Sequence, residues 1–266
     1  MAVLNRSKPY RAVLTGASGG IGAAIARALA PHAELLILAG RNRAALEALQ
    51  TELRPLNVHI VCGDLTAAAT LDQIEAIARA AGGINLLVNG AGASDFHAFP
   101  TQPAETIAHL LEVNLLAPML LSRRLIPLLA QAPAAQIINI GSIFGLLGFP
   151  GFAAYCAGKA GLQGFSQALR RELSDTSVSV RHFAPRATRT AINSPAVRAL
   201  NAELKTPEDL PERVAEQFLS FLNGRAWQIT LGARESFFVL LNKLLPALPD
   251  NAIRGQLPII RKHLPK

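Results

Sequence analysis

The chain has 266 residues, 50% hydrophobic and 17% charged, which suits one large domain with a filled core and excludes disordered and fibrous classes. Two cysteines, Cys62 and Cys156, are too few for a disulfide scaffold, and Arg6, Lys8 and Pro9 stand where a secretory signal would place its apolar stretch. Basic residues outnumber acidic ones by 26 to 18, a net charge of +8, but they come as scattered pairs (Arg41/Arg43, Arg123/Arg124, Arg170/Arg171) instead of a dense run laced with aromatics, so nucleic acid is set aside while an anionic membrane surface or a phosphorylated small molecule stays in view.

In chain order, short β-rich runs at 11–14, 35–39, 58–62, 84–88, 136–140, 178–183 and 227–231 alternate with longer helical stretches. Most of these runs are continuously apolar, the pattern of strands buried on both faces of a parallel sheet. The stretches 20–29, 44–53 and 71–81 carry helical patterning and close at Pro31, at Pro55 and at Gly82 with Gly83. This repeat predicts a single doubly wound α/β domain, residues 1–232, around a seven-stranded parallel sheet with right-handed crossovers. Apolar runs at 114–121 and 125–130 are separated by Ser122, Arg123 and Arg124, so no uninterrupted run reaches the roughly 20 residues that cross a bilayer, and a soluble chain of cytoplasmic type is expected. Residues 233–266 form a basic, amphipathic extension: Phe237, Phe238, Leu240, Leu241, Leu244, Leu245, Ile253, Leu257, Ile259 and Ile260 alternate with Lys243, Arg254, Arg261, Lys262 and Lys266. Pro246, Pro249, Pro258 and Pro265 are expected to cut it into short pieces.

Directly after the first strand come Thr15, Gly16, Ala17, Ser18, Gly19, Gly20, Ile21 and Gly22, followed by a helical run. A strand, a tight turn and a helix start make a phosphate site from unpaired helix amides, and glycines at 16, 20 and 22 let a pyrophosphate approach the backbone of a Rossmann-type dinucleotide fold. At the end of the second strand, where a carboxylate would hold the two ribose hydroxyls of NAD, the sequence has Gly40, Arg41, Asn42 and Arg43. A guanidinium there pairs with a 2′-phosphate, so NADP(H) is expected in preference to NAD(H). Three further strands end in Asp64, in Asn89-Gly90-Ala91-Gly92 and in Ser142, at the sheet edge where open α/β folds bind ligand. Tyr155 lies 13 residues after Ser142, and Lys159 one helical turn further on the same face.

In these residues, over 10 to about 231, the chain resembles the short-chain dehydrogenase/reductase family. The resemblance implies a catalytic set of Asn114, Ser142, Tyr155 and Lys159. It also implies cofactor contacts from the glycine loop, from Asp64 with Leu65 at the adenine, from Asn89, Gly90 and Ala91, and from Pro185, Thr188 and Thr190, with Asn89 bracing the central strands. Stretches 106–130 and 153–173 would by that resemblance pair subunits in a homodimer or homotetramer, with burial of their apolar faces against the sheet as the competing reading. Two departures stand out. Asn89-Gly90 replaces a pair of asparagines, and Pro185-Arg186 replaces Pro-Gly. Only glycine adopts positive φ freely, so Arg186 leaves the loop geometry open. Arg186 and Arg189 either add phosphate contacts or lie in solvent.

The residue types fit carbonyl chemistry. Hydride arriving at a carbonyl carbon leaves an alkoxide that needs a proton and a neutral donor beside the oxygen. Tyr155 supplies the proton if Lys159 lowers its pKa, Ser142 donates without titrating, and Asn114 holds a water for a proton relay. Cys156 has no identifiable base and reads as a small helix residue, and the six histidines (32, 59, 97, 109, 182, 263) show no metal-ligand spacing. Ala191, Ile192, Pro195, Val197, Leu200 and Leu204, with Ile143, Phe144, Leu146, Leu147, Phe149 and Phe152, suggest an apolar pocket for a lipophilic ketone or 3-oxoacyl group. The extension fits a membrane-surface contact, and equally a cover for the pocket or a subunit contact. Two function classes follow: an NADPH-dependent carbonyl reductase or alcohol dehydrogenase, and a non-catalytic NADP-binding regulatory or scaffold protein. The intact Ser142, Tyr155 and Lys159 favour the first.

Overall fold

The computed structural model describes residues 9–265; Arg6, Lys8 and Lys266, noted above for their charge, lie outside the described residues. The chain runs β1 (Tyr10–Thr15), α1 (Gly20–Leu29), β2 (Ala33–Gly40), α2 (Arg43–Glu52), β3 (Asn57–Cys62), α3 (Ala68–Ala80), β4 (Leu86–Asn89) and α4 (Ala104–Leu111). A π-helical turn at Glu112–Leu116 leads to α5 (Ala117–Leu129), β5 (Ala135–Ile140), α6 (Ala153–Glu172), β6 (Val178–Ala184), α7 (Pro195–Glu203), α8 (Pro211–Asn223), β7 (Gln228–Thr230), α9 (Ala233–Leu244) and α10 (Ala247–His263). All strand pairs are parallel, in the order β3-β2-β1-β4-β5-β6-β7. The direction of winding reverses between β1 and β4, which leaves a crevice at their carboxyl ends.

The seven expected strands are present, with β4 starting at Leu86 instead of residue 84. Just before it, the Asn85 side chain accepts from the Arg11 amide (2.9 Å) and donates to the Pro9 carbonyl (3.1 Å), while its backbone bonds to Arg11 and to Gln136. Successive strand residues point to opposite faces and each face has its own core. Ala12, Leu14, Leu36 and Leu38 pack with Ile25 and Leu29 of α1, Leu46 of α2 and Val214 and Phe218 of α8. Val13, Leu35 and Ile37 pack with Leu71 and Ile74 of α3, Leu121 and Leu125 of α5 and Leu169 of α6.

The continuous rod Ala104–Leu129 is, by length and composition, long and apolar enough to cross a membrane, although no uninterrupted apolar run is. Its contacts make it a layer helix of the sheet: Leu121, Leu125, Leu128 and Leu129 lie in the second core. The extension departs from expectation, since it forms two helices and not a series of fragments. Pro249 falls in the first turn of α10, where no intrahelical partner is needed. Pro258 sits at an exposed turn where water can take the carbonyl it strands, and α10 runs on to His263.

One buried charge ties the far edge of the sheet together. The Arg181 guanidinium donates to the carbonyls of Phe221 and Leu222 in the last turn of α8, to Ala226 before β7 and to Gln136 of β5, and its plane lies 3.9 Å from the Phe221 ring centroid. Burial draws its pKa down to about 10, so it stays charged at neutral pH. Arg181→Ala takes a donor from the Phe221, Leu222 and Ala226 carbonyls, of which Phe221 keeps the Gly224 amide and Leu222 keeps Gln136, and leaves the Gln136 oxygen without its partner; it is expected to cost about 2 kcal/mol of unfolding free energy. Guanidinium-chloride midpoints of the two proteins check this.

Candidate active site

At the crevice between β1 and β4 the backbones approach so closely that side chains are excluded. Gly16 has φ +73°, and a methyl group there would meet the Gly90 carbonyl oxygen at 2.6 Å. A methyl at Gly22 would collide with the Gly16 carbonyl, and one at Gly20 would stand 2.7 Å from Thr190 Cγ2. The Thr15 hydroxyl accepts from the amides of Gly90 and Ala91 (3.1 and 3.2 Å), which fixes the loop after β4 to the end of β1. The result is a side-chain-free cradle at the amino terminus of α1, whose dipole and free amides favour an anion.

The cradle opens into a cavity of about 620 Å³. Of the residues expected to bind cofactor, Gly16, Ser18, Gly20, Ile21, Gly22, Arg41, Asp64, Leu65, Gly90, Ala91, Tyr155, Lys159, Pro185, Thr188 and Thr190 line it. Thr15 and Asn89 do not; they work behind the wall. Asn89 donates to Ser122 Oγ and to Asn139 Oδ1, and Asn139 donates to Ser166 Oγ, a buried polar chain that links α5, β4, β5 and α6. The two arginines after β2 separate in role. Arg43 turns to Glu47 on its own helix (3.7 Å), whereas exposed Arg41 faces the cavity. The Asp64 carboxylate accepts from the Thr66 amide, which holds its pKa below the ordinary value, with the Arg41 charge adding to the effect.

Deeper in, Ser142 follows β5 and Tyr155 and Lys159 come from successive turns of α6; all three face the cavity. Lys159 is buried, its Nζ donates to the carbonyl of Ile140 at the end of β5 (3.0 Å), and burial draws its pKa down to about 8. The same Nζ lies 6.0 Å from the centroid of the Tyr155 ring. The phenol is hydrogen-bonded to Ser142, yet burial outweighs that contact and raises its pKa. This corrects the expectation of a lowered phenol: the ammonium is directed at a carbonyl, and desolvation of the ring dominates. Asn114, in the π-helical turn, is fully buried and outside the cavity wall; its amide accepts from the Ala93 nitrogen and donates to the Ala93 oxygen (2.8 Å). It holds the loop after β4 in place, with its Oδ1 close behind Gly92.

The loop after β6 resolves the Pro185-Arg186 departure. Among the described residues only Lys205 is a non-glycine with positive φ, so Arg186 sits in ordinary backbone. Its guanidinium neither reaches for phosphate nor lies free. It makes a two-pronged pair with buried Asp209 (2.8 and 2.9 Å) and a longer contact to Glu235 of α9 (3.5 Å). Arg189 pairs with Glu208 at the surface (3.4 Å). The Thr190 hydroxyl is buried on the cavity wall with no partner.

Beyond the loop, Val197 and Leu200 of α7, Phe96, Phe152 and Ile260 of α10 form a third apolar cluster, with Phe144, Phe149 and Tyr155 against it. Lys262 and His263 grip Glu203 of α7 (2.8 and 2.7 Å). Thus α10 packs against the apolar wall of the pocket and gives Gln256 to its lining. Cys156 packs at the edge of this cluster, and burial raises its thiol pKa.

His182 stands behind the site, outside the cavity wall, and sequence reasoning gave it no role. It lies on β6, is fully buried, and both ring nitrogens lack a partner. A methyl at Gly141 would collide with its Nε2, so the Nε2 edge of the imidazole lies against the backbone that leads into Ser142. Burial, with the nearby Lys159 charge, lowers its pKa to about 4. The only signal in the sequence is a histidine within a strand of apolar neighbours.

The short chain dehydrogenase family matches residues 11–201. An uncharacterized oxidoreductase of Staphylococcus aureus strain USA300 is 29% identical over 204 residues, 76% of this chain and 88% of the relative. A short-chain dehydrogenase from Sphingobium yanoikuyae, solved in complex with NADPH, has TM-score 0.77 at 29% identity and covers 94% of this chain and 95% of its own. A short chain dehydrogenase/reductase from Burkholderia phymatum, solved in complex with NAD, has TM-score 0.83 at 24% identity, with 92% and 97% covered; that likeness is one of fold.

The neutral His182 carries a measurable signature. As pH falls through 6.5 an unfolded chain takes up a proton that the native imidazole refuses until about 4, so this group's contribution is present above 6.5 and is lost towards 4. The loss is about 3 kcal/mol over that window. Denaturant midpoints of the native chain and His182→Leu between pH 7 and pH 4.5 are expected to fall more steeply for the native chain.

Proposed function

The chain belongs to the short-chain dehydrogenase family, and from that premise we propose that it is an NADPH-dependent oxidoreductase acting on an apolar ketone or 3-oxoacyl-type carbonyl, or on the corresponding alcohol. The observation that carries the reading is the convergence of Ser142, Tyr155 and Lys159 on one cavity that has a side-chain-free anion cradle at one end and the apolar cluster of α7 and α10 at the other.

The residues present fit a dinucleotide. Gly16, Gly20 and Gly22 leave room for a pyrophosphate, the unpartnered Thr190 hydroxyl is a donor waiting for an acceptor, and Asp64 and Leu65 flank the adenine side. Arg41 would hold the 2′-phosphate, and no carboxylate competes at the end of β2. NADPH and NAD occur among the solved neighbours, so the preference rests on Arg41. Bound NADPH supplies the hydride at its nicotinamide.

The chain's own residues supply the proton and the electrostatics. At neutral pH Tyr155 keeps its proton, because burial disfavours the phenolate, and Lys159 keeps its charge, because its pKa of about 8 is still above ambient. That is the protonation state a carbonyl reduction needs. Tyr155 gives its proton to the carbonyl oxygen, Ser142 donates a second hydrogen bond to that oxygen, and the Lys159 ammonium stabilises the phenolate left behind. Asn114 positions the loop beside Lys159, with its water relay part of this proposal. The substrate's apolar part lies against Phe144, Phe149, Phe152, Val197 and Leu200. A homodimer or homotetramer through the helical rod would cover Leu111, Leu116 and Met119, which are among the exposed large apolar residues.

Paired titrations and turnover assays test the reading. Tyr155→Phe is expected to lose roughly 10²- to 10⁴-fold in turnover of a 3-oxoacyl thioester or long-chain ketone while NADPH still quenches or enhances nicotinamide fluorescence as before. Arg41→Ala is expected to weaken NADPH by about tenfold or more and to leave NADH unchanged. Undiminished turnover in Tyr155→Phe overturns the assignment of the acid, and equal loss for both nucleotides overturns the role of Arg41.

A further inference from the structure

Helix α9 has two faces of opposite use. Its inner face is fixed to the molecule: Glu235 meets Arg186, Val239 is buried, and Asn242 donates to the Leu146 carbonyl (3.2 Å). Its outer face carries Phe237, Leu240 and Leu244, 61%, 54% and 69% exposed, at positions three and seven apart along one helical row. The row continues through Leu245 and Leu248 into the start of α10. Among the described residues, five of the eleven exposed large apolar side chains fall in this one short stretch.

Basic residues frame the row. Arg234, Lys243 and Arg254 are exposed and form no ion pair among the described residues, and Asp250 is the only acid between 236 and 265. A leucine and phenylalanine row edged by cations is the pattern of a helix lying in a bilayer interface. A second copy of the chain fits it poorly, because a two-fold antiparallel contact through this row sets Arg234 at one end of α9 against Lys243 at the other end of its mate, cation against cation. An anionic lipid surface meets the same cations with opposite charge. The row also borders the cavity mouth, since Arg234, Glu235 and Phe238 of α9 and Gln256 of α10 line that cavity, and Arg234 lies 5.8 Å over the Phe238 ring.

We propose that the outer face of α9 and the start of α10 dock on an anionic lipid membrane and set the cavity mouth beside the bilayer, from which an apolar substrate enters. The docking stands on the exposed row and its charges; the passage of substrate rests on the oxidoreductase reading above. Bound lipid headgroups screen Arg234, Lys243 and Arg254, and the five apolar side chains leave water for the acyl boundary.

Flotation of the full chain with vesicles tests this, using an equal mixture of phosphatidylglycerol and phosphatidylcholine against phosphatidylcholine alone. The chain is expected to float with the anionic vesicles, to stay behind with the neutral ones, and to be released by high salt. Leu240→Ser with Leu244→Ser, which touches only exposed positions, is expected to cut the bound fraction about tenfold or more, with NADPH fluorescence unchanged. Equal binding to neutral vesicles, no flotation at all, or a native dimer that the same substitutions turn into a monomer would each overturn the docking. NADPH titration of the same samples separates the two readings: cofactor binding without flotation removes only the docking, and flotation without cofactor binding removes only the oxidoreductase.

Discussion

An ammonium group buried at the carboxyl edge of a parallel sheet is expensive, because the charged form loses its water, and much of this molecule can be understood from where Lys159 obtains compensation. Its partner is the carbonyl of Ile140, free because β5 ends there. For Nζ to reach that oxygen, α6 must press close to the end of the strand. On its other side Gly158 lets α6 approach the π-helical turn, since a methyl there would stand 3.2 Å from the Asn114 Cβ, and the buried chain from Ser122 through Asn89 and Asn139 to Ser166 holds β4, β5 and their flanking helices in register. Gly92 leaves space in front of the ammonium, with Asn114 pinned to Ala93 just behind. One carbonyl is partial compensation, and the lysine shows it by holding its proton less tightly than a solvated one.

The same low-polarity environment sets the other two titratable groups. It keeps the proton on Tyr155 and keeps His182 neutral. A site whose acid is protonated and whose buried cation is only just charged at neutral pH is prepared to give a proton to a developing alkoxide, and loses that readiness as the cation is neutralised. The loop after β6 adds a second layer. Arg186 of that loop joins Asp209, between α7 and α8, to Glu235 of α9, and Glu203 of α7 joins Lys262 and His263 of α10, so the carboxy-terminal helices are tied by charge to the segment that walls the pocket. The extension is therefore structural on its inner side, whatever its outer side meets.

Much of this was legible in the sequence. Continuous apolar runs between amphipathic stretches gave the seven strands, because burial on both faces leaves no alternation to confuse with a helix. The glycine loop, Arg41, Ser142, Tyr155 and Lys159 were found by residue type and spacing, since close backbone approach and proton transfer demand specific groups. What escaped were properties of assembly. The direction of the Tyr155 shift depends on how deeply the ring is enclosed and on which atom the lysine faces. Arg186 reads as a disruption until Asp209 and Glu235, 23 and 49 residues away, are brought beside it. Pro258 reads as a helix breaker until it falls on an exposed turn. His182 is inconspicuous until its ring edge lies against Gly141.

That burial governs the protons of this site is open to direct measurement. The chain has two tyrosines, Tyr10 and Tyr155, so carbon-13-labelled tyrosine gives two ring signals, assigned by Tyr155→Phe, that can be followed against pH in the cofactor-free protein. Labelled lysine reports Lys159 in the same series. The ammonium of Lys159 is expected to lose its proton near pH 8 and the Tyr155 phenol to ionise later, above its ordinary value of about 10. A phenol that ionises near neutral pH while Lys159 stays charged to its ordinary value would contradict this, and would make the charge pair rather than burial the governing interaction.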